Sequence, residues 1–303
     1  MIQWMRPHRT RPPLSAIAAA ASMTLLADVR PAGAQSPFEL YRERAAMLAV
    51  GERCRLFDAE TAAALAAGAS QARTAALRAG TDTDTLDRGL AQARLQVANL
   101  TCAAPIVRQE AQRVKSAFAV YSGLHRMSFP GDVAGWRADR TLAVHSASWM
   151  LAQEAFAGQD KVVFGLAGRE GEQAVTVAVS DPEGSQPYAA RIILRDCVRA
   201  PQPYIAGGRP PLAARAPVRA AARAILADAK APADRALLPV GVASATAFRF
   251  PAGTLDALQH LDPREAISVE FLYPSARGDV VRTAFLEVGD FNAGMAFLKM
   301  GPK

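Results

Sequence analysis

Recognisable catalytic and cofactor motifs are what this 303-residue chain lacks. Its three histidines beyond residue 34 have no second histidine or cysteine at the spacing of a zinc site. No serine lies in a Gly-x-Ser-x-Gly or Ser-x-x-Lys pattern. Gly165, Gly168 and Gly171 lie inside a predicted hairpin, whereas a phosphate-binding loop lies between a strand and a helix N-terminus. The sequence therefore predicts no metal and no cofactor.

Long apolar runs and strong charge are also missing beyond residue 34. No run of 18 or more apolar residues occurs there, so we expect no membrane-spanning helix. The whole chain has a formal charge of +7, and residues 1–34 hold four arginines and one aspartate, which leaves +4 for the remainder. This excess is too small and too dispersed for a nucleic-acid binder, although it suits an anionic cell envelope. We expect no nucleic-acid partner.

Residues 1–34 have the pattern of a secretory signal peptide. A basic head with Arg6, Arg9 and Arg11 precedes an apolar run of about 14 residues, and small residues at 32–34 precede a cleavage site before Gln35. The run falls short of the ~20 residues that a membrane-spanning helix needs. We predict a periplasmic or secreted protein; the alternative is an uncleaved membrane anchor.

Cysteine is scarce, and three cysteines are an odd number for an exported chain. Cys54 and Cys102 flank two predicted helices joined by a turn near Thr81. Because both helices rise at the same rate per residue, the two sulfurs should meet at the open end of an antiparallel pair. We predict a Cys54–Cys102 disulfide, with two free buried cysteines as the alternative. Cys197 is then left over, as a buried thiol or one paired between chains.

Residues 35–122 have helical patterns. Ser36 and Glu39 form a capping box with proline at the first helical position, and Asp58 caps an alanine-rich helix that ends at Gly80. Two further amphipathic stripes follow, over 86–100 and 105–121. The small residues of the alanine-rich helix predict tight packing against the helix that follows it.

Residues 141–303 are predicted to be a β-rich region with late helices. Strand-length runs rich in valine and isoleucine are separated by short turns, which indicates antiparallel hairpins. The predicted strands cover 149–156, 161–167, 174–180, 188–195, 242–250, 267–273 and 280–288. Two late helices follow Thr254 and Asp290. A Pro/Ala/Arg-rich insertion at 200–240 is predicted to contain a helix over 217–229 with Arg219 and Arg223 on one face. The predicted strands before the insertion and those after it could form one continuous sheet.

Residues 123–140 are predicted to form an ordered, irregular connector between the helical and β-rich regions, because proline and glycine break the helix there. Arginine with tryptophan at such a junction is typical of a recognition surface, and guanidinium groups fit anionic ligands while indole stacks on flat faces. The candidate ligand-binding residues are Asp132, Trp136, Arg137, Asp139 and Arg140. In the structural alternative, Trp136 fills an interface and Asp139 pairs with an arginine.

The sequence thus predicts an α+β protein: a disulfide-tied helical hairpin or bundle, followed by an antiparallel β-rich region with late helices. We expect an exported, non-catalytic binding protein, whose partner is an envelope protein or an anionic or sugar-like ligand. The alternative is a periplasmic hydrolase with dispersed acidic groups, for which Asp132, Asp139 and His145 would have to converge around a cavity. A subunit of a larger envelope assembly is a third possibility.

Overall fold

The computed structural model describes residues 35–302 except 142–145, 170, 181–185, 204 and 206–209. The predicted signal peptide and His145 lie outside the described residues. The chain begins with four helices, α1 (Pro37–Cys54), α2 (Ala59–Arg78), α3 (Thr83–Ala98) and α4 (Pro105–Ser122). Ser36 and Glu39 form the predicted capping box of α1, and the Asp58 carboxylate accepts the Thr61 amide at the start of α2. The helical N-terminal region is confirmed.

The packing of these helices differs from the sequence prediction. The α1 helix packs against both α2 and α3, and α2 packs against α1, α4 and the last helix, α7 (Phe291–Leu298), instead of pairing tightly with α3. Gly89 of α3 shows the reason, since a Cβ there would lie 2.8 Å from the Phe38 ring of α1. The missing side chain thus lets α3 approach α1 closely. The Cys54–Cys102 disulfide is confirmed, and it joins the end of α1 to the turn after α3.

A seven-stranded antiparallel sheet follows the helices. Its strands lie in the order β1-β2-β3-β4-β5-β9-β8. They are β1 (Arg126–Phe129), β2 (Trp136–Asp139), β3 (Ser148–Ala157), β4 (Asp160–Arg169), β5 (Glu172–Ser180), β9 (Ala245–Arg249) and β8 (Ala229–Pro232). The segment predicted as an irregular connector therefore forms the β1–β2 hairpin, an edge of this sheet. Backbone pairing with β3 holds these residues in regular strands, which the local sequence does not indicate.

The remaining strands form a second, four-stranded antiparallel sheet, so the strands do not form one continuous sheet. Its order is β11-β10-β6-β7, with β6 (Ala189–Arg195), β7 (Ala222–Leu226), β10 (Ala266–Tyr273) and β11 (Val280–Glu287). The short helices α5 (Leu212–Arg215) and α6 (Gly253–Gln259) precede β7 and β10, respectively. The α+β class with antiparallel sheets and late helices is confirmed.

The predicted helix over 217–229 is wrong. Only a 3₁₀ turn at Arg219–Ala221 is helical, and the chain continues as β7 and then β8. On β7, Ile225 is buried between two exposed neighbours. Ile225 pairs with Ile192 on β6, so tertiary burial of this strand outweighs the helix propensity of its alanines. Arg219 and Arg223 consequently share no helix face.

The inner faces of the two sheets meet in one apolar core. Phe164 and Val177 face it from the larger sheet, Val269 and Leu286 face it from the smaller one, and α7 contributes Phe297. The described part of the chain from Ser36 onward forms one compact unit. No helix within the described ranges is long and apolar enough to cross a membrane.

Candidate functional site

The predicted ligand-binding residues are divided between the two faces of the β1–β2 hairpin. Side chains alternate along a strand. Trp136 and Arg140 are therefore buried on the inner side, whereas Arg137 and Asp139 face outward. Asp132 lies in the turn between the strands. The structure thus does not bring all five side chains to one surface.

Trp136 has the environment that the structural alternative requires. Its side chain is 2% exposed, and the ring lies 5.1 Å from that of Phe291 on α7, edge to face. Its Nε1 donates to the carbonyl oxygens of Glu287, at 3.1 Å, and Val288, at 2.9 Å. The indole therefore joins the hairpin to β11 and α7 and offers no face to a ligand.

Arg140 is also buried, although it is charged. It is 1% exposed and donates to four backbone carbonyls, those of Ser122, Leu124, Met300 and Gly301. Its guanidinium carbon lies 5.5 Å above the Phe297 ring. A guanidinium has five donors, and carbonyls that have no other partner suit it well. Arg140 thereby ties the end of α4 to the C-terminal residues.

Glu287 is a buried carboxylate that the sequence analysis did not single out. It is fully buried, and the backbone N–H groups of Asp132, Val133 and Ala134 donate to its oxygens at 2.8 to 3.1 Å. Arg78 on α2 donates to Oε1 at 2.9 Å. The turn closes tightly at Gly131, where a Cβ would lie 2.7 Å from Glu287 Oε2. The only sequence signal was a glutamate within an apolar strand.

Asp132 belongs to the same ionic cluster. Its carboxylate lies 3.5 Å from Arg78 Nε and 3.2 Å from Arg215 Nη1. Arg215 is buried at the end of α5, so the cluster joins α2, α5, the hairpin turn and β11. Asp290, at the start of α7, lies 4.0 Å from Arg78 Nη1. Burial raises the pKa of Asp290 to about 6, and repulsion from Glu287 and Asp132 adds to this effect, while Arg78 opposes it.

The raised pKa of Asp290 predicts that the protonated form of this carboxyl contributes stability in acid that is absent at neutral pH. The folded state holds this proton more tightly than the unfolded chain, whose ordinary value is 3.8. The stabilisation is therefore complete below about pH 4 and is lost as the pH rises through about 6. The difference between the two pKa values corresponds to a contribution of about 3 kcal/mol to the free energy of unfolding.

Urea unfolding of the wild type and of Asp290→Asn between pH 4 and 8 measures this dependence. The variant should lack most of the decline in the free energy of unfolding with rising pH. Asp256→Asn, which changes an exposed carboxylate on α6, serves as the control and should keep the decline. Identical slopes for Asp290→Asn and the wild type would contradict the prediction.

The outward side chains of the hairpin line an open groove on the outer face of the seven-stranded sheet. We call it the first groove; it has a volume of about 390 Å³. Arg126 Nε donates to Asp139 Oδ2 at 2.6 Å, and Arg137 Nη2 donates to Glu154 Oε1 at 2.6 Å. The groove is lined by Arg126, Met127, Ser128, Arg137, Ala138, Asp139, Trp149 and Ala152.

A β-bulge brings Trp149 to this groove. Trp149 pairs with Ala167, but the register then shifts so that Leu151 pairs with Leu166. Without the extra residue, Trp149 would share the inner face with Leu151; with it, the indole lies on the outer face beside Ala152. Bulges re-aim side chains in this way and are frequent next to functional sites. Trp149 begins a strand predicted from the sequence, but the bulge that sets its face leaves no sequence signal.

The two acids that a hydrolase would use are both held by arginines. Burial of Asp139 opposes ionisation, but hydrogen bonds from the Thr141 amide and from Arg126 outweigh it, so the pKa of Asp139 is lowered. A general acid needs a raised pKa. Asp132 lies in the ionic cluster between Arg78 and Arg215, away from the first groove lining. Asp139 therefore lacks the raised pKa of a general acid, and Asp132 does not line the groove.

Among the described residues, no group of three or more histidine, cysteine or carboxylate side chains is arranged to hold a metal ion. Comparison of the chain with protein-family models, with curated proteins and with solved structures finds no match. The site must therefore be interpreted from its own geometry.

Proposed function

We propose that this chain is an exported, non-catalytic binding protein that takes an anionic or sugar-like ligand in the first groove. The observation that carries the proposal is the composition of this groove. Exposed guanidinium groups of Arg126 and Arg137 border the half-buried indole of Trp149 on a rigid sheet. Arginine and an aromatic plane together supply charge-assisted hydrogen bonds and a stacking surface.

Binding is favoured over hydrolysis because of the state of the nearby acids. Asp139, the acid that lines the groove, is paired with Arg126 and has a lowered pKa. A glycoside hydrolase needs one carboxyl group with a raised pKa beside the bond that it cleaves. Asp290 has such a pKa, but its carboxyl is buried at the start of α7. Because the acid in the groove is ion-paired and the acid with a raised pKa is buried at α7, we expect the groove to hold a ligand without cleaving it.

Export is supported by the disulfide together with the signal-like sequence of residues 1–34. Disulfides form and persist in the periplasm and outside the cell, and they are rare where thiols are kept reduced. The Cys54–Cys102 bridge therefore favours a periplasmic or secreted protein. Anionic and sugar-like groups are abundant at such surfaces; an envelope protein is the alternative partner.

Tryptophan fluorescence can test the proposed site. Beyond residue 34 the chain has only two tryptophans, Trp136 and Trp149, and Trp136 is buried, so a ligand in the first groove should change the emission of Trp149. We expect a saturable change on titration with a galacturonic acid disaccharide. Arg137→Ala removes a charge-assisted hydrogen bond and should weaken binding about ten-fold or more. Inorganic phosphate carries charge without a sugar ring, and cellobiose has sugar rings without charge. Titration with each of them therefore separates the contributions of ligand charge and of the sugar ring to the affinity.

Arg113→Ala is the matched control, since Arg113 is an exposed arginine on α4 that is likewise paired with a glutamate, Glu110. The affinity of this variant for the disaccharide should equal that of the wild type. The disaccharide should be recovered intact by chromatography, whereas released monosaccharide would favour the hydrolase alternative. Absence of a response to all three probes, or equal affinity in Arg137→Ala, would contradict the proposed function.

A further inference from the structure

A second groove lies on the same outer face of the seven-stranded sheet. Its volume is about 280 Å³, and its floor is formed by β4, β5 and β9. The segment 233–244, which joins β8 to β9, forms one wall through Asp234 and Leu237. The polar side chains that line it are those of Ser146, Arg169, Glu172, Thr176, Asp234 and Arg249.

Trp149 stands where the two grooves meet. Its cross-strand partner, Ala167, lines the second groove, while Trp149 itself lines the first. Directly opposed residues of neighbouring strands lie about 5 Å apart, so little sheet separates the grooves. The indole Nε1 donates to the carbonyl oxygen of Leu237 at 3.3 Å, which fixes the ring against the 233–244 segment. A ligand that leaves one groove would therefore pass this held ring before it entered the other.

The two grooves together suit a long ligand rather than a compact one. They extend from β1 across β2, β3, β4 and β5 to β9, which is five steps between neighbouring strands. At about 4.8 Å for each step, the lined surface is about 24 Å wide. A linear chain of several sugar rings can follow such a surface, whereas one ring occupies a single groove.

The lining has the chemistry for a sugar chain that carries carboxylates. Hydroxyl groups both donate and accept, so they match a surface that mixes guanidinium donors with carboxylate and hydroxyl acceptors, here Asp234 and Thr176. Arg169 is paired with Glu172 at 2.8 Å, whereas exposed Arg249 forms no ion pair with any other residue that the structure describes. A guanidinium can form two parallel hydrogen bonds to a ligand carboxylate.

We propose that the ligand of this protein is a linear acidic glycan that occupies both grooves at once, with Trp149 as the stacking residue between them. This inference rests on the proposed function, because it takes the first groove as one end of the site. Arg249 then sets the preference for long chains, since a ligand held in the first groove reaches it only by passing Trp149. Two linked contacts raise affinity because the second forms at a high effective concentration.

A ladder of galacturonic acid oligomers tests the inference through the same tryptophan emission. We expect the hexasaccharide to bind about ten-fold or more tightly than the disaccharide in the wild type. Arg249→Ala should weaken hexasaccharide binding about ten-fold and bring the ratio of the two affinities close to one. Arg113→Ala should keep the wild-type ratio, and cello-oligosaccharides of equal length should bind more weakly because they lack carboxylates.

The outcomes separate this inference from the function on which it rests. A hexasaccharide that binds no better than the disaccharide, or an unchanged ratio in Arg249→Ala, would overturn the two-groove arrangement and leave single-groove binding intact. Neutral chains that bind as tightly as acidic ones would overturn the preference for carboxylates. If neither saccharides of any length nor phosphate bind, the proposed function fails as well.

Discussion

Replacing Glu287 with alanine should lower the free energy of unfolding by about 3–5 kcal/mol, because the change removes a buried partner of Arg78 and leaves three backbone N–H groups without their acceptor. Glu287 is fully buried, and its carboxylate accepts hydrogen bonds from three backbone N–H groups and from Arg78. Its loss would strand those donors at the junction of α2, the β1–β2 turn and β11. The alanine would also leave a cavity, which adds to the loss.

Urea unfolding at pH 7 measures this effect, and Glu110→Ala is its control. Glu110 pairs with Arg113 at 2.8 Å on the surface of α4, where such pairs contribute less than about 1 kcal/mol. The double variant Arg78→Ala/Glu287→Ala should lose less than the sum of the two single variants, since each single change already removes the contact between the two side chains. A loss below about 1 kcal/mol for Glu287→Ala would contradict the role that we assign to this carboxylate.

Loss of the Cys54–Cys102 disulfide should cost about 4 kcal/mol of the free energy of unfolding. The bridge closes a loop with a sequence separation of 48, and this figure follows from the chain entropy that the bridge removes from the unfolded state. The double variant Cys54→Ala/Cys102→Ala should show it in urea unfolding. Reductant should shift the unfolding midpoint of the wild type by a similar amount, and it should have no effect on the double variant.

Cys197→Ala is the matched control, because it removes a free, half-buried thiol and no bridge. Its free energy of unfolding should stay much closer to that of the wild type, and it should keep the response to reductant. A double cysteine variant as stable as the wild type would contradict the prediction. The same result would remove the disulfide as support for an oxidising location, since the bridge would then contribute nothing to the folded protein.

Local signals in the sequence sufficed for α1 to α4, α6 and α7 and for most strands, although they also favoured a helix over 217–229 that does not form. Ser36 and Asp58 cap their helices through side-chain oxygens, and these contacts depend only on residues within one turn. The strands at 160–169 and 266–273 follow from apolar runs between turn residues, which is again local chemistry. The predicted disulfide is confirmed, although the close pairing of α2 with α3 from which it was derived is not, since α3 packs against α1 instead.

The candidate site was predictable only in part. Arg137 and Asp139 of the predicted set line the first groove, but Trp136 and Arg140 lie on the other side of the same strand. The alternation was readable only once residues 136–139 were known to be a strand, and pairing with β3 established that. Trp149 and Arg249 gave no signal, because a bulge and a distant strand bring them to the outer face.

The sequence by itself determined the long helices, most of the strand-forming segments, the caps of α1 and α2 and the α+β class, since each depends mainly on residues that are close along the chain. Only the tertiary structure decided which helix packs against α2, that residues 222–226 are a strand, and where Glu287 finds its partners. Those outcomes depend on burial and backbone pairing between segments that can be more than a hundred residues apart. The free energy of such contacts exceeds the preference of single residues for helix or strand. These contacts therefore also decide which side chains lie on the outer face of the sheet, where a ligand can reach them.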